Sequence, residues 1–307
     1  MMAEQQAASP ETNAQAQERR QQGPVMPIGG AEDTEPGGEV LARFIDLAGG
    51  SKARIAVIPT ASQDPRRSGE GYVKLFCDMG AANAEWMRIA GREDAQGGPA
   101  LTLVEQATGI FITGGDQSRL VELLVGTHVM EAIRAAHARG VVVAGTSAGA
   151  SVVGALMMVP GGSATGETAA RKGMVDTVSG FGLLQDIIVD QHFSERGRMG
   201  RLLAVFAANP GKLAVGLDED TAVVIDGDGL LETLGSGMVT LLDGRTTISD
   251  YYHRQDGEIL SVTGSSLTVL GPGRHFDLVR RVALDVNPDA AGGRSGSDRD
   301  TPAGTSA

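Results

Sequence analysis

The sequence has little cysteine, few aromatic residues and no long apolar run. Cys77 is the single cysteine among 307 residues, so the chain can form no intrachain disulfide and no cysteine-rich zinc site. No run of 18 apolar residues occurs, so we predict no transmembrane helix. The first 25 residues are polar and lack the apolar segment of a secretory signal. These absences favour a cytoplasmic protein.

Positive charge is also scarce. The chain has 26 Lys and Arg against 38 Asp and Glu, which gives a formal net charge of −12. An acidic balance argues against a nucleic-acid partner and against a polybasic membrane anchor. Hydrophobic residues make up 41% of the sequence, which is enough for a core and excludes wholesale disorder.

The two ends of the chain differ in composition from its middle. Residues 1–23 are rich in Ala, Gln and Glu and show no apolar period, and residues 287–307 are rich in Gly, Ser and Asp. We predict disordered tails at both ends. The stretch 24–286 has no linker-like break, so we predict a single catalytic domain there.

Strand and helix patterns alternate through the first half of the chain. Apolar strands are predicted at 54–59, 84–89, 107–113, 140–145 and 187–190, and helices at 71–82, 119–139, 147–158 and 194–208. After Gly211 the segments become short and turn-bounded, as is typical of hairpins. We therefore predict an α/β fold with a mostly parallel central sheet flanked by helices and antiparallel strands in the C-terminal portion.

The opening strand before Gly29 contains Pro24 and Pro27. Proline cannot donate to a strand ladder, so this strand is expected to lie at an edge or to end at Pro27.

The strongest chemical motif reads G-T-S-A-G over 145–149, between an apolar strand and a predicted helix. This is the context of a nucleophile elbow, in which a tight turn presents Ser147 at the carboxyl end of the sheet. The N–H of Ala148 would then face a developing oxyanion. A plain turn of small residues is the alternative interpretation.

A serine nucleophile needs a base, and His192 follows the strand predicted at 187–190. Sites in open α/β sheets form at the carboxyl ends of strands, so we expect His192 and Ser147 on the same rim. A lone loop histidine is the alternative. The other four histidines fall on the predicted helix 119–139 or among the C-terminal strands: His128, His137, His253 and His275.

An acid must orient such a base, and three acids follow a strand-like segment: Asp218, Glu219 and Asp220. The residues alone do not select one, and a solvated acidic turn is the alternative. The chain order serine, histidine, acid differs from the serine, acid, histidine order of α/β-hydrolases. It resembles the order in class I glutamine amidotransferase-like enzymes, where a cysteine takes the place of Ser147.

Two further segments have the chemistry of a substrate site. The loop T-G-G-D-Q at 113–117 offers backbone donors at Gly115 or Asp116 and a side-chain donor at Gln117, although a plain glycine turn explains it as well. Three arginines after His192 suit carboxylates, with a solvated basic patch as the alternative: Arg196, Arg198 and Arg201. Asp190 and Gln191 could bind a guanidinium group.

Six segments together resemble the cyanophycinases, serine exopeptidases of the peptidase E-like superfamily. They read IGGAED (28–33), IPTAS (58–62), FITGGDQ (111–117), GTSAGAS (145–151), DQHFSERGRMGRLL (190–203) and GLDEDTA (216–222). The D-Q-H-F-x-x-R-x-R-x-x-R pattern is the most specific of these. Peptidase E, an α-aspartyl dipeptidase, shares the serine motif and is not expected to carry those arginines.

The resemblance implies a role for each matching residue. Ser147 would be the nucleophile, His192 the base and Glu219 the orienting acid, with oxyanion donors at Ala148 and at Gly115 or Asp116. The substrate pocket would be lined by Gln117, Asp190, Gln191, Arg196, Arg198 and Arg201. The implied substrate is cyanophycin, a poly-aspartate chain with arginine on each β-carboxyl, and the product is β-Asp-Arg. A homodimer without metal or cofactor is implied as well.

Two other functions are compatible with the same residues. The first is an aspartyl or isoaspartyl dipeptidase that acts on short acidic peptides. The second is a catalytically silent protein that binds the polymer.

Overall fold

The computed structural model describes residues 21–35, 37–160 and 169–284. Most of both predicted tails, 1–20 and 287–307, therefore lies outside the described residues. At residue 23 the chain is already tied to the domain, because the Gly23 N–H donates to the His137 carbonyl at 2.7 Å.

Helices and strands alternate through the first half of the described chain. The helices are α1 (Glu39–Leu47), α2 (Pro65–Asp78), α3 (Gly98–Gln106), α4 (Gln117–Leu124), α5 (His128–Ala138), α6 (Ala148–Val152) and α7 (Met199–Ala208). The strands up to α7 are β1 (Val25–Ile28), β2 (Arg54–Ile58), β3 (Asn83–Trp86), β4 (Gly109–Ile112), β5 (Val142–Thr146), β6 (Leu156–Pro160), β7 (Val175–Ser179) and β8 (Ile187–Asp190). The later strands are β9 (Leu213–Leu217), β10 (Thr221–Ile225), β11 (Leu230–Gly235), β12 (Val239–Asp243), β13 (Ile248–Ser249), β14 (Val262–Thr263), β15 (Ser266–Leu270), β16 (His275–Asp277) and β17 (Val282–Ala283).

A nine-stranded sheet forms the centre, in the order β17-β16-β11-β10-β1-β5-β4-β2-β3. The strands from β1 to β3 in that order run parallel, and those from β10 to β17 are antiparallel. A second sheet has the order β15-β12-β9-β8, with β8 and β9 parallel. The predicted α/β class, with antiparallel strands toward the C-terminus, is confirmed.

Successive side chains of the central strands point to opposite faces of the sheet, and both faces are covered by apolar residues of other elements. Phe111 packs on one side with Phe44 of α1 and Phe76 of α2. Its neighbours Ile110 and Ile112 pack on the other side, with residues of α3, α4, α5 and the second sheet. The far face of the second sheet is covered by α7.

All four predicted helices differ in extent from the structure. The helix predicted at 71–82 is α2 (Pro65–Asp78), and the helix predicted at 194–208 begins only at Met199, as α7. The other two differ more. The helix at 119–139 is divided into α4 and α5, because Gly126 has φ +73° and the Thr127 side chain caps α5 by accepting from Met130 N. The helix at 147–158 ends as α6 at Val152, and β6 follows because its apolar residues pair with β7. The hydrophobic period of residues 147–158 alone does not reveal that β7 is their strand partner.

The expectation that the opening strand lies at an edge is also wrong. β1 lies in the interior of the sheet, parallel to β5 and antiparallel to β10. Ser147 N donates to Ile28 O and Gly29 N donates to Thr221 O, so alternate residues of β1 face alternate neighbours. Pro27 therefore faces β10, and only the end residues Val25 and Ile28 are registered there. Because Pro27 has no N–H, the pairing of β1 with β10 is interrupted, while the pairing of β1 with β5 is intact.

Candidate active site

Ser147 lies between β5 and α6, at the carboxyl end of the parallel strands. Its backbone has φ 52° and ψ −110°, a strained conformation for a residue with a side chain. The turn is closely packed, because a Cβ at Gly145 would lie 2.2 Å from Gly149 O and one at Gly149 would lie 2.3 Å from Ile112 O. Both glycines of the motif are thus required by close backbone approach.

His192 reaches Ser147 from the second sheet, where it follows β8. The expectation of one shared sheet rim is therefore corrected, because β8 is not part of the central sheet. The two rims are joined by His192 N, which donates to Gly29 O at 2.9 Å. His192 Nε2 lies 2.9 Å from Ser147 Oγ. Gly30 makes room for the ring, since a Cβ there would lie 2.4 Å from Cε1.

Glu219 completes the line of contacts on the other side of the imidazole. Its Oε1 lies 2.6 Å from His192 Nδ1. Asp218 instead accepts from the backbone N–H groups of Ser194 and Met238. The third acid, Asp220, is bonded to Asp33 N and to the Ser236 hydroxyl. Of the three acids that the residues left open, the geometry selects Glu219.

The environment of His192 favours a neutral imidazole. Burial lowers its pKa below the ordinary value of 6.5, and the positive charges of Arg196 and Arg198 lower it further. The hydrogen bond and charge of Glu219 oppose this shift by raising the pKa. A neutral ring can accept the proton of Ser147 Oγ, and Glu219 can stabilise the imidazolium that results.

The other four histidines lie away from Ser147. His128 begins α5 and its Nδ1 lies 2.8 Å from Gln96 O. His137 is buried near the end of α5, and burial lowers its pKa. His253 lies in a 3₁₀ turn and His275 in β16. His128 and His137 thus lie on a helix and His275 on a strand, as the sequence predicts, whereas His253 lies in a turn.

The loop at 113–117 lies against the serine, as expected. A Cβ at Gly114 would lie 3.2 Å from Ser147 Cβ. Asp116 N donates to Ala61 O at 2.8 Å, and the Asp116 side chain caps α4. Asp116 is thus not available as an oxyanion donor, which corrects that alternative. Gly115 remains as the candidate partner of Ala148, the first residue of α6.

Asp190, which the sequence offers to a substrate guanidinium, is paired with arginines of the protein itself. Asp190 is fully buried, and its carboxylate accepts from Arg201 Nε at 2.7 Å, Arg201 Nη2 at 2.5 Å and Arg198 Nη1 at 3.3 Å. The protein's own arginines therefore occupy this acid. Burial lowers the pKa of Arg198 to about 10, while Asp190 acts in the opposite direction.

The remaining predicted pocket residues differ in availability. Arg196 is exposed and takes no part in the Asp190 pair. Gln191 is buried, and within the described chain its Oε1 has no hydrogen-bond partner. The Gln117 side-chain amide donates to Met158 O in β6, so its nitrogen is already bonded.

The chain matches the model of a known peptidase family. The model of peptidase family S51 matches residues 25–233. The chain belongs to peptidase family S51. It is therefore a hydrolase of the peptidase class, and the resemblance predicted from the six segments is confirmed.

Three relatives of this S51 peptidase are named cyanophycinase. A protein named cyanophycinase from Trichormus variabilis is 44% identical over 262 residues, which cover 85% of this chain and 87% of the relative. A cyanophycinase from Synechococcus elongatus is 40% identical over 258 residues, covering 83% and 79%. A third, from Geminocystis herdmanii, is 41% identical over 255 residues, covering 82% and 93%. The crystal structure of a peptidase from an acI-B1 Actinobacterium shares the fold, with a TM-score of 0.63 at 21% identity over 84% of this chain and 98% of that one.

One buried acid of the S51 peptidase received no role from the sequence. Glu32 is 7% exposed and accepts from Tyr72 Oη at 2.6 Å and from Thr146 Oγ1 at 2.5 Å. Burial and the charge of Glu32 raise the pKa of Tyr72. Thr146 directly precedes Ser147, so Glu32 braces the turn that holds the serine. Its position in the IGGAED segment was the available signal.

Within 21–35, 37–160 and 169–284, no group of three or more His, Cys, Asp or Glu side chains is placed to hold a metal ion. Over the same ranges, no helix has the length and apolar character needed to cross a bilayer.

Proposed function

We propose that this S51 peptidase is a serine exopeptidase that hydrolyses cyanophycin to β-Asp-Arg dipeptides. The observation that carries the proposal is the line of contacts from Ser147 Oγ to His192 Nε2 and from Nδ1 to Glu219 Oε1. It occurs in a chain whose relatives at 40–44% identity are named cyanophycinase. The geometry supplies the chemistry and the relatives supply the substrate class.

The reaction follows from the three side chains. Ser147 Oγ attacks the scissile carbonyl carbon while His192 Nε2 takes the hydroxyl proton. The N–H groups of Ala148 and Gly115 stabilise the oxyanion. His192 then gives its proton to the leaving amine, and an acyl-enzyme remains on Ser147. Water, deprotonated by the same imidazole, releases the acyl group and restores the serine.

Four residues are proposed to bind the charges of a cyanophycin unit. Arg196 is exposed near the imidazole and suits the carboxylate of the arginine moiety. Gln191 Oε1 is a buried acceptor that has no hydrogen-bond partner among the described residues, and it suits a guanidinium N–H. Arg198 and Arg201 are held by Asp190, so they form a fixed positive wall that needs no rearrangement on binding. No metal or cofactor takes part in these steps.

A comparison of substrates tests this proposal. The purified protein is incubated separately with cyanophycin and with Asp-Xaa and isoaspartyl dipeptides, and released amine is measured. Faster turnover of cyanophycin is expected. Cleavage of the dipeptides alone would favour the dipeptidase, and no cleavage of either would favour a silent polymer-binding protein.

The assembly and the compartment are proposed from the sequence and the resemblance. We propose a cytoplasmic homodimer that binds neither nucleic acid nor membranes. Sedimentation equilibrium is expected to give twice the chain mass of 31.7 kDa.

A further inference from the structure

A groove of about 620 Å³ lies beside α2, and its lining does not include Ser147, His192 or Glu219. One wall contains Thr34 and Ser62, and the other is one face of α2 with Arg67, Gly71, Tyr72 and Lys74. Arg67, Gly71 and Lys74 are spaced by four and three residues, and Tyr72 lies four residues after Ser68, which also lines the groove, so they share that face. We call this depression the α2 groove. Its volume is in the range of sites that bind small ligands.

Two short chains of contacts join the α2 groove to the serine. On one side, a Cβ at Gly115 would lie 2.8 Å from Ser62 N, and Gly114 lies against Ser147. On the other side, Tyr72 Oη donates to Glu32, which also accepts from Thr146. The groove thus begins where the serine loop ends, near the carboxyl ends of β2 and β5. Sites of open α/β sheets extend along this edge.

The charges of the α2 groove suit a zwitterionic chain. Within the described residues, the ion pairs of α2 are Arg66 with Glu70 and Lys74 with Asp78. Arg67 is exposed in the groove and is in neither pair. Its guanidinium is therefore available to a carboxylate, while Asp64, which caps α2 and is in neither ion pair, offers an acceptor to a cation.

Gly71 provides an independent observation. It lies in the interior of α2, where glycine is less favourable than alanine. Two residues earlier, Gly69 has a packing reason, because a Cβ there would lie 2.6 Å from Trp86 Cγ. Among the residues that the structure describes, a Cβ at Gly71 would meet no atom within 4 Å, so no packing between them requires a glycine. Its absent side chain leaves the middle of the groove open.

We propose that the α2 groove binds the part of the cyanophycin chain that is not released, with Arg67 on a carboxylate of that part. This inference rests on the proposed function. A chain of two β-Asp-Arg units spans only the scissile bond, so it does not use the groove, whereas a chain of eight units extends into it.

Steady-state kinetics on the two-unit and eight-unit chains test the groove. Arg67→Ala is expected to raise KM for the eight-unit chain about five- to tenfold, the loss of one charge-assisted contact. It should leave KM for the two-unit chain within about twofold. Arg66→Ala is the matched control, because Arg66 pairs with Glu70 and does not line the groove; it should change neither value. Gly71→Gln fills the open space and should reproduce the Arg67→Ala pattern, while Gly71→Ala should not.

The outcomes separate the groove from the proposed function. Equal KM changes for both chain lengths, or none for either, would overturn the groove while hydrolysis by the parent protein stands. If the parent protein releases no β-Asp-Arg from either chain, the proposed function is wrong and the groove loses its ligand. Binding of the eight-unit chain to Ser147→Ala protein gives a readout without turnover. In that protein, the additional substitution Arg67→Ala should weaken the affinity for the eight-unit chain about five- to tenfold. An unchanged affinity would contradict the proposal.

Discussion

Glu219 Oε1 lies 2.6 Å from His192 Nδ1, whereas the acids on either side of it are bonded elsewhere. Asp220 has φ +46° and bonds to Asp33 N and Ser236 Oγ, so this strained residue fixes the turn. Asp218 is buried beneath the same turn and accepts from two backbone amides. Of the three consecutive acids, Glu219 thus faces the imidazole, whereas Asp218 and Asp220 hold the turn that carries Glu219.

Glu219→Gln is expected to lower kcat by about 10³- to 10⁴-fold, because the amide no longer stabilises the imidazolium or fixes its tautomer. Steady-state hydrolysis of cyanophycin measures this loss, and circular dichroism checks the fold. Asp220→Asn is the control, since asparagine tolerates positive φ and retains hydrogen-bonding oxygen. Asp220→Asn should keep kcat within a few-fold of the parent value. An equal loss of kcat in both variants would contradict the distinct role of Glu219 toward His192.

Arg196→Ala is expected to shift the acid limb of kcat/KM toward higher pH. The Arg196 charge lowers the His192 pKa by disfavouring the imidazolium, so its removal raises that pKa. A higher pKa means that the neutral base forms only at higher pH. The pH profile of kcat/KM reports this value for the free enzyme. Arg196→Lys retains the charge and should leave the limb in place, while a limb that moves to lower pH in Arg196→Ala would contradict the account.

Asp190→Asn is expected to destabilise the fold by about 3–5 kcal/mol, because it leaves two largely buried guanidinium groups without their acid. Asp190 is fully buried, and the Arg198 and Arg201 side chains are only 12% and 18% exposed. Urea unfolding measures the change. Asp186→Asn removes an exposed partner of Lys212 and should cost close to nothing. Equal stability of the two variants would show that Asp190 does not hold the arginines.

Gly30→Ala and Gly80→Ala form a matched pair. Both glycines have φ near +100°, so each substitution should cost about 1–2 kcal/mol of stability. At Gly30 the new Cβ would lie 2.4 Å from His192 Cε1, whereas at Gly80 it meets no atom within 4 Å. A displaced ring should lower kcat about 100-fold in Gly30→Ala alone. Similar activity in the two variants would show that Gly30 does not position the imidazole.

The contact between Ser147 and His192 could be predicted from local sequence, because each lies at a strand end with a recognisable apolar pattern. Ser147 has its glycine-flanked turn after β5, and His192 follows β8. The choice of Glu219 could not be made from the residues, since three adjacent acids have the same chemistry and differ only in direction. That direction depends on the strained backbone of Asp220 and on partners as distant as Asp33.

Other errors came from contacts between distant segments. Asp190 looked like a substrate ligand because sequence spacing does not show that Arg198 and Arg201 turn back onto it. Pro27 looked like an edge residue because the chain does not reveal that its missing N–H faces one neighbour only. Glu32 was missed because its partners, Tyr72 and Thr146, come from α2 and β5.

The most direct test of the central claim is mass spectrometry of the products released from insoluble cyanophycin, beside a Ser147→Ala control. The account predicts β-Asp-Arg from the parent protein and a loss of several orders of magnitude in the variant, with its fold unchanged. Release of β-Asp-Arg at the parental rate by Ser147→Ala protein would contradict the assignment of Ser147 as the nucleophile. Absence of β-Asp-Arg with the parent protein would contradict the assigned substrate.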